Sequence, residues 1–441
     1  MLIFNLDVTM KSRAFIPAIV FAGLIFILHP GSQPRPGLLP YPELAPLPQS
    51  QRLSTMREPL PVETIVDAAL EFSGATDTSS AAAKEKLVTL LRRFRDEVAD
   101  VTAQAELGER TLTFLHKNLL TTYSVPQTRV DTALGTGVYN CVSSAVLYMI
   151  FARSVGLSVG GVRTTDHAFC TVLANGQQVD VETTNPYGFN PGSKKEFTDS
   201  FGKVTGYSYV PQGGYNNRRN IGEKELLSLI LYNRVSEYGE SRFFHDALQP
   251  AVSAYALMGT EEMRRVMTIA FSNYVASLQM RQDYPGAIQF LDAVRASFGG
   301  TVDLGRPRRD AYHNWVVGLL DANALQDAEA LLAQPTAKAA LEESDWTALS
   351  VQIVQLRALA ESAAGGPLPA AAIVVDGIKR LGRQPGLLQN YEAYVHKAFI
   401  PLYNSRKWND ARLLIDQGLA VYADSGILQK DLELARKAMR Q

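Results

Sequence analysis

The chain has 441 residues, 46% of them hydrophobic, with 43 basic against 44 acidic side chains and a net charge of −1. At roughly 150 residues per domain this allows two to three domains, and the ordinary composition excludes wholesale disorder. The charge balance leaves no footprint for nucleic acid, and two cysteines cannot supply a disulfide framework or a Cys-rich zinc site.

Residues 1–29 read as a signal peptide or signal-anchor. Lys11 and Arg13 precede an apolar run, Ala14 to Leu28, and a basic flank before a short apolar segment is the export pattern. The run is short of the ~20 residues of a spanning helix, so a membrane tether through 14–28 and a removed peptide both stand. The expected location is the periplasm or cell envelope. Residues 30–62 hold nine of the chain's 22 prolines. Each fixes φ and removes an N–H, which predicts an extended, semi-rigid linker.

Helical periodicity marks 63–74, 79–100 and 104–121, as in Leu87, Leu90, Leu91 and Phe94 at three- and four-residue spacing. The pattern changes at Gly137-Val-Tyr-Asn-Cys141. Asn140 is a good N-cap, and Val142, Val146, Leu147, Ile150 and Phe151 predict a helix apolar nearly all round, hence buried. Cys141 falls in its first turn, where unpaired N–H groups and the helix dipole favour a thiolate. A strand pair follows, about 165–173 and 177–183, joined near Asn175-Gly176. Alternation puts His167, Phe169 and Thr171 on one face and Ala168 and Cys170 on the other. A helix from Glu223 to Tyr238 closes this domain, which spans 63–240.

A thiol nucleophile needs an imidazole to take its proton and a third group to orient that imidazole. Cys141 and His167 supply the first two, while Asp180 and Glu182 share one face of the second strand and compete for the third role. A two-residue turn would place Thr184 opposite His167. A four-residue loop, 173–176, would place Glu182 there and Asp180 one pleat step away; cross-strand partners sit ~5 Å apart and diagonal ones ~7–8 Å. On this geometry Glu182 is favoured. The plain alternatives are an inert buried cysteine, a core histidine, a solvated acidic face, and a Cys141–Cys170 disulfide.

Gly137-Val-Tyr-Asn-Cys141, Ala152-Arg-Ser-Val-Gly-Leu157, Asp166-His-Ala-Phe169 and Val179-Asp-Val-Glu-Thr-Thr184 together resemble the transglutaminase-like superfamily of papain-type thiol enzymes. The resemblance covers about residues 105–190. It implies a Cys-His-Asp triad, with the family's Asp-Pro-Thr strand falling on Glu182-Thr-Thr184. Glu182 is then the acid and a departure in residue type, whereas Asp180 keeps the type and shortens the spacing. Residues 186–221, with Tyr207, Tyr209, Tyr215, Asn216 and Asn217, read as loops beside a cleft.

Residues 245–441 carry no β pattern. Asn273-Tyr-Val275 and Asn314-Trp-Val316 stand 41 apart, and so do Ala287 and Ala328, with Ala371 and Ala411 continuing the series at 43 and 40. Small residues at a fixed period let paired helices approach and stack into a solenoid. The pattern resembles tetratricopeptide repeats, with a longer period, and implies a partner-binding surface for peptide or protein. His245, His313 and His396 are too scattered for a site, and no metal or cofactor motif is present.

The expected fold class is therefore α+β: a papain/transglutaminase-like core followed by an all-α helical-repeat domain. The expected function is exported thiol-dependent acyl transfer on amide or peptide bonds, hydrolysis ahead of cross-linking. The alternative is an inactive scaffold that only binds proteins.

Overall fold

The computed structural model describes residues 41–192, 194–206 and 218–440. The apolar run 14–28, the first prolines of the linker stretch, and Tyr207, Tyr209, Tyr215, Asn216 and Asn217 lie outside the described residues. The described residues form two compact units, one within 41–274 together with 293–302, the other 275–292 together with 303–440.

In the first unit the prolines after residue 40 do not make a spacer. A 3-10 turn, Pro42–Leu44, leads into α1, Pro48–Thr55, where Pro48 takes a first-turn position that needs no N–H. Leu44, Leu53 and Leu60 are buried. The backbone is tied in by Leu47 N–H donating to Ser253 Oγ, Gln49 N–H to Glu71 and Leu60 N–H to Glu223. The expectation of an extended, semi-rigid linker over 30–62 is thus corrected for 41–62. Three apolar anchors outweigh the extended preference of the prolines between them.

Helices α2 (Val62–Phe72), α3 (Asp77–Glu97) and α4 (Gln104–Asn118) follow. A parallel strand pair, β1 (Thr122–Tyr123) and β2 (Val138–Tyr139), is separated by α5, Val130–Thr136. It delivers the chain to α6, Cys141–Ser154, whose side chains from Cys141 through Ala152 are all buried. Around α6 pack α2, α3, α4 and α8, Glu223–Glu240. The rings of Phe94, Phe114 and Phe151 lie 5.0–5.7 Å apart in that core. Strands β3 (Val159–Arg163) and β4 (Ala168–Ala174) lie against α6. With β5 (Gln177–Val181) and β6 (Arg219–Ile221), they form an antiparallel sheet of order β5-β4-β3-β6. Helix α7, Lys195–Thr205, lies between β5 and β6 in the chain.

The β4–β5 turn is the two-residue Asn175-Gly176, both at positive φ, 51° and 76°, as a tight hairpin requires. The register runs from Ala174↔Gln177 to Cys170↔Val181 and then stops. A four-residue loop is therefore not what brings Glu182 near His167. Glu182 leaves the ladder altogether, its N–H donating to the Gly188 carbonyl. That return is so close that a Cβ on Gly188 would collide with the Glu182 backbone.

Helix α9, Leu248–Met258, packs along α8 and α1, and α10, Glu261–Met280, begins in the first unit. The expected domain start at 245 moves accordingly. Leu248, Ala251, Val252, Ala254 and Leu257 are buried there and belong to this core.

The second unit is a run of antiparallel helix pairs. It opens with residues 275–292 from α10 and α11 (Tyr284–Phe298). There follow α12 (Gly305–Asp321) with α13 (Leu325–Leu332), the short α14 (Pro335–Ala340), and α15 (Glu343–Ala364) with α16 (Pro367–Leu381). The last are α17 (Pro385–Asn404) with α18 (Trp408–Val421), then α19 (Gly426–Ala438). Ala287, Ala328, Ala371 and Ala411 are all buried. Three hairpin turns repeat one geometry, with Gln282, Asn323 and Arg406 at φ 60°, 55° and 60°. In each, the next N–H reaches back five residues, from Asp283 to Leu278, Ala324 to Leu319 and Lys407 to Leu402, closing the helix end.

Candidate active site

Asn140 accepts from the N–H groups of Val142 and Ser143 at 2.9 and 3.0 Å, and Ser143 Oγ accepts from Asn140 N–H at 2.9 Å. This capping box fixes the start of α6 and so the position of Cys141. Cys141 is 2% exposed.

His167 sits in a turn before β4, its N–H donating to Thr164 Oγ1 and its carbonyl accepting from Thr164 N–H. The ring Nε2 lies 2.7 Å from Glu182 Oε2, and the Cys141 thiol is near enough to bear on the charge of the ring. Burial alone would favour the neutral ring. The charge of Glu182, its hydrogen bond to the ring and the neighbouring Cys141 outweigh it and raise the imidazole well above its ordinary value of 6.5. Phe169 and Phe201 stand about one ring width away, with centroids at 6.0 and 6.1 Å.

Glu182 is fully buried. Its second oxygen accepts from Thr184 N–H at 3.2 Å and Thr184 Oγ1 at 2.7 Å. Asp180 is not at the imidazole. It pairs with both terminal nitrogens of Arg218, at 2.8 and 2.6 Å, while that guanidinium stacks over Phe169 at 5.1 Å. The structure thus brings Cys141, His167 and Glu182 together and turns Asp180 to a different partner.

Cys170 points at α6, its thiol donating to the Ala145 carbonyl, and burial pushes that thiol up. Both cysteines are free, so the disulfide alternative is not formed. Two further residues close on the turn that follows the acid: His116, which no motif flags, and Tyr139, which lies inside the Gly137-Val-Tyr-Asn-Cys141 motif but is given no role there. His116 of α4 places Nε2 3.1 Å from the Thr183 carbonyl, and Tyr139 donates its hydroxyl to the Thr184 carbonyl at 3.1 Å. The His116 ring packs edge-on against Tyr139. Burial holds the His116 imidazole down at about 4, although the Thr183 carbonyl and the Glu182 charge pull the other way. A cleft of about 770 Å³ is lined by these two rings with Lys117, Tyr123, Thr184 and Val204 among others.

Elsewhere, His396 bonds Asp431 at 2.7 Å in the second unit, with no cysteine in that unit. Among the described residues no group of three or more His, Cys, Asp or Glu side chains is placed to hold a metal ion. No protein-family model, curated protein or solved structure matches this chain.

Proposed function

We propose that the first unit is a papain-type, transglutaminase-like thiol enzyme that transfers acyl groups from amide or peptide bonds, with hydrolysis its main outcome. The observation that carries this reading is the buried line of Cys141, His167 and Glu182. A thiol at a helix start meets an imidazole whose far nitrogen is held by a carboxylate at 2.7 Å. With Nε2 engaged by Glu182, Nδ1 is the nitrogen that takes the thiol proton. Cys141 Sγ attacks the carbonyl carbon, the C–N bond breaks, and His167 returns the proton to the leaving amine. The resulting thioester is attacked by water, His167 takes a proton from that water, and Cys141 is released with a carboxylic acid product. An amine in place of water gives cross-linking. The oxyanion falls to the Cys141 N–H, since the Asn140 cap engages those of Val142 and Ser143.

The paired helices of the second unit resemble tetratricopeptide repeats in pattern, and we assign them the binding of a protein partner. The apolar run 14–28 supports export to the periplasm or cell envelope, with a membrane tether through that run as one form. Among the described residues no helix is long and apolar enough to cross a membrane. One observation favours the rival scaffold reading. Cys141 and His167 are only 2% and 6% exposed, so a substrate carbonyl reaches the thiol only if the surrounding chain opens.

The test is iodoacetamide alkylation of Cys141 against pH, with and without His167→Ala. An ordinary thiol is ~0.3% ionised at pH 6. The enzyme reading therefore expects labelling at pH 6 that falls about 100-fold in the variant. Labelling confined to pH above about 8, and indifferent to His167, would establish the scaffold instead.

A further inference from the structure

The acid of this site is not carried by a strand ladder, because β5 ends at Val181. Glu182 stands at the first position of a turn whose backbone would otherwise be free to swing. Beyond the Glu182 N–H bond to the Gly188 carbonyl, five hydrogen bonds hold it. The Thr183 side chain meets Ser144 Oγ of α6 at 2.9 Å, and Ser144 Oγ also donates to the Cys141 carbonyl at 3.3 Å, so the acid turn is tied to the helix that carries the thiol. The Thr184 N–H and hydroxyl bind the carboxylate itself. The two carbonyls that follow the acid are each held by a ring from outside, Thr183 by His116 and Thr184 by Tyr139.

We propose that His116 is a positioning residue for the Glu182–His167 pair, its Nε2–H fixing the Thr183 carbonyl so that the Glu182 carboxylate stays aimed at the His167 ring. A carbonyl only accepts, so this contact requires the proton on Nε2 and fixes the tautomer. Two imidazoles thus flank one buried carboxylate in opposite states. His167 touches the carboxylate and shares its charge, whereas His116 touches the neighbouring carbonyl and is kept neutral by its surroundings. A cation at His116 would draw on the same carboxylate and weaken its hold on His167. The charged or titratable groups around the pair are Glu182, Cys141 and Tyr139, while Lys117 is exposed. The role rests on the reading of Cys141 and His167 as a thiol–imidazole pair.

The test uses the full chain with His116→Phe, a ring with no donor, and His116→Gln, whose amide N–H can still reach the carbonyl. The readout is the pH profile of Cys141 alkylation between pH 5 and 9, with near-UV circular dichroism as the check on folding. If the acid turn loosens, the imidazolium loses its counter-charge and the labelling midpoint rises. A one-unit rise slows labelling at pH 6 about tenfold. We expect that loss in folded H116F and recovery to within a few-fold of wild type in H116Q. A purely packing role would leave the midpoint unmoved and would not distinguish Gln by its donor. If H116F does not fold, Tyr139→Phe reads the same turn through its other anchor, and an unchanged midpoint there overturns the inference. Wild-type labelling that ignores His167→Ala would sink the thiol–imidazole reading together with this role. Labelling that depends on His167 but not on His116 would overturn this role alone.

Discussion

The two units bury different things. Between residues 140 and 185 the first unit buries Asn140, Ser143, Ser144, Arg163, Thr164, His167, Thr171, Asp180, Glu182, Thr183, Thr184 and Asn185, whereas the buried polar residues described in the second unit are Ser277, Ser350, Ser425 and Asp431. An unsatisfied buried polar group costs about 1–3 kcal/mol, so a core that serves stability alone does better with the alanines and leucines of the helix pairs. In the first unit nearly every member of the cluster has a named partner, and the partners lead from the thiol through the imidazole to the acid and its turn. A fully bonded polar network specifies one geometry at a cost in risk. The second unit has its own His–carboxylate pair at 2.7 Å, His396 with Asp431. That pair leaves 41% of the histidine side chain exposed and faces no thiol. The same bond is therefore a half-exposed contact in one unit and the centre of a buried cluster in the other. The surroundings, more than the pair, mark the site.

The hardest way to break this contrast is to exchange the duties of the two acids. Glu182→Gln removes the charge that raises His167, and labelling of Cys141 at pH 6 falls about tenfold or more while the fold persists. Asp180→Ala does the reverse. It strands Arg218, whose side chain is 9% exposed, and breaking a buried pair in this way costs about 3–5 kcal/mol, with the labelling profile unchanged. Both cysteines lie in the first unit and all three tryptophans, Trp315, Trp346 and Trp408, in the second. Thiol accessibility in urea and tryptophan fluorescence therefore report the two units separately. Asp180→Ala should move only the first, and a loss of pH 6 labelling in that variant would return Asp180 to the site.

How much of this was readable in the chain differs by residue. Asn140 before an apolar run announces the capped helix, and Asn175-Gly176 announces the hairpin, because both signals act within a few residues. The alanine period announces the helix pairs because it repeats. The choice of Glu182 over Asp180 came out of a register that the hairpin does not have. The residue alignment with the resembled superfamily pointed to the same acid by a route that did not depend on register. Residues 41–62 were misread because proline content speaks for local stiffness and is silent about Leu44, Leu53 and Leu60 finding a core. His116 was illegible for a related reason. Its partner carbonyl is 67 residues away, and a lone histidine on a helix carries no pattern.

A smaller effect sharpens the contrast through pH. His116 is held near 4 in the folded chain against about 6.5 when unfolded, so between these values the unfolded chain binds the extra proton. Stability contributed by the neutral ring is complete above about pH 6.5 and is lost as pH falls toward 4, by about 3 kcal/mol in all. Urea midpoints read through the thiols should fall over that range, and His116→Gln should flatten the part of the slope that belongs to this ring. An acid limb of equal steepness in the variant would mean that other groups set it.

The smallest expected effect lies in the helix pairs and tests whether the alanine period marks their seams. Ala371 and Ala372 are neighbours in α16, the first 5% exposed and packed in a cluster with Val354, Val374 and Leu387, the second exposed. Ala371→Leu forces three extra carbons into that seam, and overpacking of this kind costs about 1–3 kcal/mol. Ala372→Leu adds the same carbons to open surface and should change stability by less than about 0.5 kcal/mol. Tryptophan fluorescence in urea separates the two. In neither variant should the alkylation of Cys141 change, since both cysteines belong to the other unit. Equal losses at both positions would mean that helix propensity or solubility, and not close approach of paired helices, explains the spacing. A large loss at Ala371 alone shows that the second unit keeps its order through shape where the first keeps its order through hydrogen bonds.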